Sequence, residues 1–135
     1  MGLDMFLYVQ TNDVELTEKS IVDETVTREE VAYWRKANMV HQYFCTRGKE
    51  ISPSYLYTIT REDLLELLKI CHGILDETLS PEVVLPTTNG FFFGSVGYDE
   101  IYYDHIKETI FILSEVLLLN EKSKDAKEFI YLASW

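Results

Sequence analysis

The sequence predicts an α+β fold in which about three helices pack on a small antiparallel sheet formed with the N- and C-terminal strands. Met5-Phe6-Leu7-Tyr8-Val9 and Phe129-Ile130-Tyr131-Leu132 are short, β-branched or aromatic, and bounded by polar residues, which is strand composition and leaves the two free to pair with each other. Between them, apolar residues recur at spacings of three and four, the period of a helix with one buried face. The 135 residues are 47% hydrophobic and 13% aromatic, enough for one core, so residues 1–135 are expected to form a single domain.

Taken in order, Thr27-Arg28-Glu29-Glu30 matches the capping box, in which a threonine hydroxyl and a glutamate carboxylate satisfy the free amides of a helix start. The pattern predicts a first helix from there to about Cys45, with Gly48 as its left-handed terminator. Ser52-Pro53-Ser54 reads as a turn into a short extended piece, Tyr55 to Ile59. Thr60 is placed to cap a second helix, whose stripe runs through Leu64, Leu67, Leu68, Cys71 and Leu75 and whose last turn Gly73 weakens. Pro81, Pro86 and Asn89-Gly90 give the stretch from Ser80 to Ser95 a turn-forming composition. A third helix begins near Tyr98 and buries Tyr102, Ile106, Ile110, Leu113 and Leu117; Asn120 to Lys127 then leads to the final strand. No internal repeat or low-complexity tract is present.

Composition narrows the function. Twelve basic against 23 acidic residues give a net charge of −11, which disfavours direct binding to DNA or RNA because phosphate contact is driven by cations. The charge is concentrated between Asp13 and Glu30, a stretch that fits either a solvated face or a mimic of a nucleic-acid backbone. The apolar run Ile110 to Leu119 is shorter than the roughly 20 residues that cross a bilayer. No export or myristoylation signal is read at the N-terminus. Cys45 and Cys71 are the only cysteines and read as reduced thiols of a cytoplasmic protein.

Two segments are candidate binding elements. Tyr33-Trp34-Arg35-Lys36-Ala37-Asn38 with His41 places, on the predicted first helix, an indole, an amide and an imidazole along the edge of the apolar arc. Arg35 and Lys36 point away from that arc, where they are either solvated or positioned to clamp a phosphate. His41 fits a core histidine satisfied by a carbonyl as well as a ligand contact. The second segment, Gly90-Phe91-Phe92-Phe93-Gly94-Ser95, sets three rings between glycines but lacks the lysine and spacing of a phosphate loop. If it adjoins the first helix and the start of the third, where Tyr98, Tyr102, His105 and Thr109 share the inward arc, an aromatic pocket with a few polar groups results; the same rings fit plain core packing. His41 and Cys45 have a metal-compatible spacing, but no paired ligand signature accompanies them. Asp99, Glu100 and Asp104 are the acids a helix start attracts by itself. No catalytic residue, metal or cofactor is assigned.

Met1-Gly2-Leu3-Asp4-Met5-Phe6-Leu7-Tyr8, Tyr33 to Asn38 with His41, Leu85-Pro86, Gly90 to Gly94, Tyr98-Asp99-Glu100 and Tyr131 to Trp135 together resemble a family of small, mostly uncharacterised phage and prophage proteins, across the whole chain. The resemblance implies an accessory protein of the bacterial cytoplasm and brings no catalytic residue with it. Three functions are compatible with these features. The first is sequestration of a small nucleotide-like host metabolite or defence signal by Trp34, Arg35, Lys36, Asn38, His41, Phe91, Phe92, Phe93, Tyr98, Tyr102 and His105. The second is inhibition of a basic host protein by the acidic face, and the third a small hydrolase using His41 or His105 with a carboxylate. Homodimerisation is compatible with so short and aromatic a chain.

Overall fold

Met5, Leu7 and Val9 are buried while Asp4, Phe6 and Tyr8, which alternate with them, are only partly so. That period of two makes Asp4–Gln10 a strand with one face toward the core. The computed structural model describes residues 2–10, 28–52, 56–90 and 96–135. Its elements are β1 (Asp4–Gln10), β2 (Arg28–Arg35), α1 (Asn38–Arg47), β3 (Lys49–Ser52), β4 (Leu56–Thr60), α2 (Arg61–Leu75), the single turn α3 (Pro81–Val84), α4 (Glu100–Ser114) and β5 (Glu128–Ser134). The strands form one five-stranded sheet in the order β2-β1-β5-β4-β3, antiparallel at every neighbouring pair. The architecture is therefore α+β, and the two terminal strands pair as expected, Met5 opposite Ala133 and Leu7 opposite Tyr131. The turn expected at Pro53-Ser54 lies outside the described residues.

Residues 28–35 correct the expectation of a helix starting at Thr27. They are extended and pair with β1, Met5 opposite Trp34 and Phe6 opposite Tyr33. Ala32 and Trp34 are buried, while Tyr33 and Arg35 are exposed, the alternation of a half-buried strand. Pairing along the edge of β1 overrides a local capping pattern that by itself is worth only about 1 kcal/mol. The chain then turns at Lys36, whose φ of 59° is left-handed and whose N–H donates to the Leu3 carbonyl at 2.8 Å. The first helix starts only at Asn38, behind Ala37, which supplies no side-chain cap.

α2 carries the expected signal, since Thr60 and Asp63 each accept the other's backbone N–H in a complete capping box. It buries Leu64, Leu67, Cys71 and Ile74; Leu75, placed in the stripe by spacing, is exposed in the last turn. α4 starts from Asp99, whose carboxylate accepts the amides of Ile101 and Tyr102, and buries Tyr102, Ile106, Thr109 and Leu113. It continues into a π-helical turn, Glu115–Leu119. Arg61 Nη2 donates to the Leu117 carbonyl at 3.1 Å, which ties that end of α4 to the start of α2. The helices cover one face of the sheet, against the inward residues Trp34, Met5, Leu7, Ile59, Phe129 and Tyr131. Tyr33 lies on the other face, its ring 5.3 Å from that of Phe6 and its hydroxyl donating to Asp4. No described helix is long and apolar enough to cross a membrane.

Gly48 is not a left-handed terminator, since its φ of −72° is one any residue adopts. Its small size is what matters. A Cβ there would lie 2.6 Å from both the Phe44 carbonyl oxygen and Ile59 Cδ1, inside hard contact with backbone that cannot give. Gly48→Ala is expected to cost about 1–3 kcal/mol by overpacking, read as a lower guanidinium midpoint with an unchanged slope; an unchanged midpoint would contradict the close approach of α1 to β4.

Candidate functional site

Asn38 opens α1 fully buried, and a buried amide requires partners. Its Oδ1 accepts the N–H of Thr88 at 3.1 Å. The Tyr98 hydroxyl accepts the N–H of Thr87 at 3.2 Å, the Thr87 hydroxyl donates to the Val96 carbonyl at 2.8 Å, and the buried Tyr102 hydroxyl donates to the Leu85 carbonyl at 2.8 Å. Residues 86–90 have no regular structure, so side chains from α1 and from the leading end of α4 satisfy backbone groups that a ladder would otherwise pair. The start of α1, the start of α4 and the segment leading to the phenylalanine run therefore meet. Phe91, Phe92 and Phe93 themselves, with Gly94 and Ser95, lie outside the described residues.

Beside this pinned segment is a hollow of about 290 Å³, lined by Met39, Gln42, Tyr43, Thr46 and Arg47 of α1 and by Val84, Leu85 and Pro86. A second, of about 450 Å³, is lined by Arg47, Glu66, Lys69, Ile70, Leu79, Val83 and Val84. Tyr43 offers the first hollow only its ring, because its hydroxyl donates to the Asp63 carbonyl at 2.7 Å and burial raises its pKa further. Arg47 stacks over that ring at 5.4 Å and donates to Glu66 Oε2 at 2.5 Å. The result is an apolar hollow with a cation held at its edge, the makeup of a small-molecule site.

The residues expected to form the site are divided between support, core and surface. Asn38, Tyr98 and Tyr102 hold the 85–90 segment, as above. Trp34 is in the core, its Nε1 donating to the Thr109 hydroxyl at 3.0 Å and its ring set edge-on to Phe44. His41 is also buried. Its Nδ1 lies 2.6 Å from the Tyr131 hydroxyl, its Nε2 lies 3.5 Å from Cys45 Sγ, and Trp135 meets the ring edge-on. Burial lowers its pKa to about 4, so it is neutral at physiological pH, beside a Cys45 thiol whose pKa burial raises. Two neutral groups do not make a thiolate nucleophile. His105 is half-buried, its pKa lowered by burial against the opposing pull of Glu108 and Asp104.

Arg35 and Lys36 are exposed at the sheet edge, not on a helix as expected. Arg35 lies 3.6 Å from Asp4, and both side chains cross over Gly2, where a Cβ would sit 3.0 Å from Lys36 Cε and 3.1 Å from Arg35 Nη2. No group of three or more metal-binding side chains occurs among the described residues. Sequence reasoning passed over Gln42, Tyr43 and Arg47; their only signal is the Tyr43/Arg47 spacing of four, which puts a ring and a cation on one helix face.

Asn38→Ala leaves the Thr88 amide without its acceptor, at a cost of about 1–3 kcal/mol. Hydrogen exchange at Thr88 is expected to accelerate on the order of tenfold while the Tyr131 amide stays protected; equal protection at Thr88 in both proteins would mean that Asn38 does not hold the segment. For His41, whose folded pKa of about 4 is below the ordinary 6.5, the unfolded chain binds more protons between those values. Its contribution to stability is complete above about pH 6.5 and is lost as pH falls toward 4. Denaturation midpoints should decline across that window in the natural protein and decline less in His41→Gln; parallel curves would show that His41 is not the group responsible.

Comparison with protein-family models, curated proteins and solved structures finds no match, and a functional reading rests on the geometry above.

Proposed function

We propose that this chain is a non-catalytic binding protein, a phage or prophage accessory of the bacterial cytoplasm, that holds a small nucleotide-like molecule in the hollow between α1 and residues 84–86. The observation that carries this reading is the pinned segment: Asn38, Tyr98 and Tyr102 fix the irregular stretch 85–90 through its own backbone groups. A loop shaped in advance by buried side chains loses little entropy when a ligand arrives. Met39, Tyr43, Leu85 and Pro86 provide apolar walls for a base. The Gln42 and Thr46 side chains at the exposed rim add polar contacts.

A second reading is supported by a different surface. Phe111, Leu118 and Leu119 are 72%, 68% and 73% exposed along α4 and its π-helical turn, among the exposed acids Asp104, Glu108 and Glu115. An apolar patch with acidic neighbours suits docking on a basic protein. The acidic stretch expected to serve that role, Asp13 to Glu30, is described only at residues 28–30, where Glu29 pairs with Lys122 at 3.3 Å.

Thermal unfolding in the presence of a panel of nucleobases, nucleosides and nucleotides separates the readings. A ligand at about a hundred times its Kd adds about 2.7 kcal/mol, a shift of several degrees. Gln42→Trp, which blocks the rim without touching the core, is expected to abolish the shift and keep its own Tm. A ligand recovered chemically intact supports binding without turnover. A panel with no effect, or a shift that survives the Gln42→Trp substitution, would contradict the hollow as the site and favour the α4 surface.

A further inference from the structure

We infer that the two hollows form one bipartite site for a nucleoside monophosphate, with the base between Tyr43 and Leu85 and the phosphate held by Arg47 and Lys69. This rests on the binding function proposed above and specifies its ligand. Arg47 and Val84 line both hollows, so the two meet at those side chains. The first has apolar walls; the second gathers two cations, Arg47 and Lys69, around one carboxylate, Glu66. The Asp63 carboxylate also acts on Arg47, so the charges there come close to balance, and it is the placing of two cations on the wall of one hollow that offers an anion a seat on a chain with a net charge of −11.

Arg47 is prepared for that role. Its guanidinium is stacked on the Tyr43 ring and engaged by Glu66 through Nη1. A guanidinium has five N–H donors in a rigid fork, so Glu66 orients it while donors remain for a phosphate. Lys69 is exposed on α2 three residues beyond Glu66, on the same helix face, and adds a second charge. At about 290 Å³ the first hollow is at the lower end of small-molecule sites, fitting a ring system; the phosphate needs the second. Glu66 has a further consequence, because its negative charge opposes the phosphate while it positions Arg47.

Calorimetric titration with adenosine 5′-monophosphate, adenosine and inorganic phosphate tests the inference. The monophosphate is expected to bind at least about tenfold more tightly than adenosine, roughly the contribution of a charge-assisted hydrogen bond, and to weaken with salt while adenosine does not. Lys69→Ala should remove that advantage and leave adenosine binding unchanged, while Arg47→Ala should remove it and also weaken adenosine, because Arg47 lines the first hollow as well. Because Arg47 also packs on Tyr43, the exposed Lys69→Ala is the decisive variant if Arg47→Ala unfolds. Glu66→Gln should tighten monophosphate binding about two- to fivefold, in keeping with the size of exposed charge interactions. Equal affinity for adenosine and its monophosphate, or no effect of Lys69→Ala, would overturn the bipartite site and leave the binding function standing. No binding of either would overturn both.

Discussion

Pairing between β1 and β5 joins the two ends of the described chain in the middle of the sheet, and the position of each other element follows from that seam. Among the described strands, β2 has its only neighbour in β1, and the β3–β4 hairpin reaches the rest of the sheet only through β5. Without the seam the sheet would separate into a β2–β1 ribbon and a β5–β4–β3 ribbon. A two-stranded ribbon such as β2–β1 is marginal alone. The seam also presents Leu7 and Tyr131 side by side to the helices.

From the seam the constraint passes to α1 and then to the hollow. Tyr131, from β5, meets the His41 ring and packs on Phe44 with centroids 4.6 Å apart, which sets the rotation of α1 about its own axis. The left-handed turn at Lys36, fixed by the Leu3 carbonyl, sets where the helix begins. With both fixed, Asn38 is directed at Thr88 while Met39, Gln42, Tyr43 and Thr46 line the groove. His41 thus acts as a positioning residue between sheet and helix. Its neutral imidazole, able to donate from one nitrogen and accept at the other, suits a buried place between a hydroxyl and a thiol.

Much of the architecture was legible because the signals were local. β1 and β5 stood out through aromatic and β-branched residues bounded by polar ones, and Thr60 was legible as the cap of α2, to which the structure adds Asp63 as the second half of a capping box. The start of α1 was not legible, since Ala37 carries no capping hydroxyl or carboxylate while Thr27 imitates one ten residues earlier. The alternation at Ala32, Tyr33, Trp34 and Arg35 held the correct answer, and its meaning depends on β1 being available as a partner. The π-helical turn after Ser114 has no sequence signature of its own. For the site, the sequence suggested that the first helix, the Gly90 to Ser95 loop and the start of the third helix adjoin; residues 91–95 of that loop lie outside the described residues, and the contacts of Asn38 and Tyr98 fall on the segment before it. The hollow was not legible, because Tyr43 and Leu85 become neighbours only through packing between segments far apart in sequence. Trp34 and His41, which stood out by residue type, turn out to be buried among core groups.

If the groove along α1 is the binding surface of the molecule, amide chemical shifts recorded while adenosine 5′-monophosphate is added will show it. Changes are expected at residues 39–47, at 84–86 and from Glu66 to Ile70, with residues 108–119 of α4 and its π-helical turn unmoved. Changes confined to the Phe111 to Leu119 surface, or a spectrum that does not respond, would contradict that assignment.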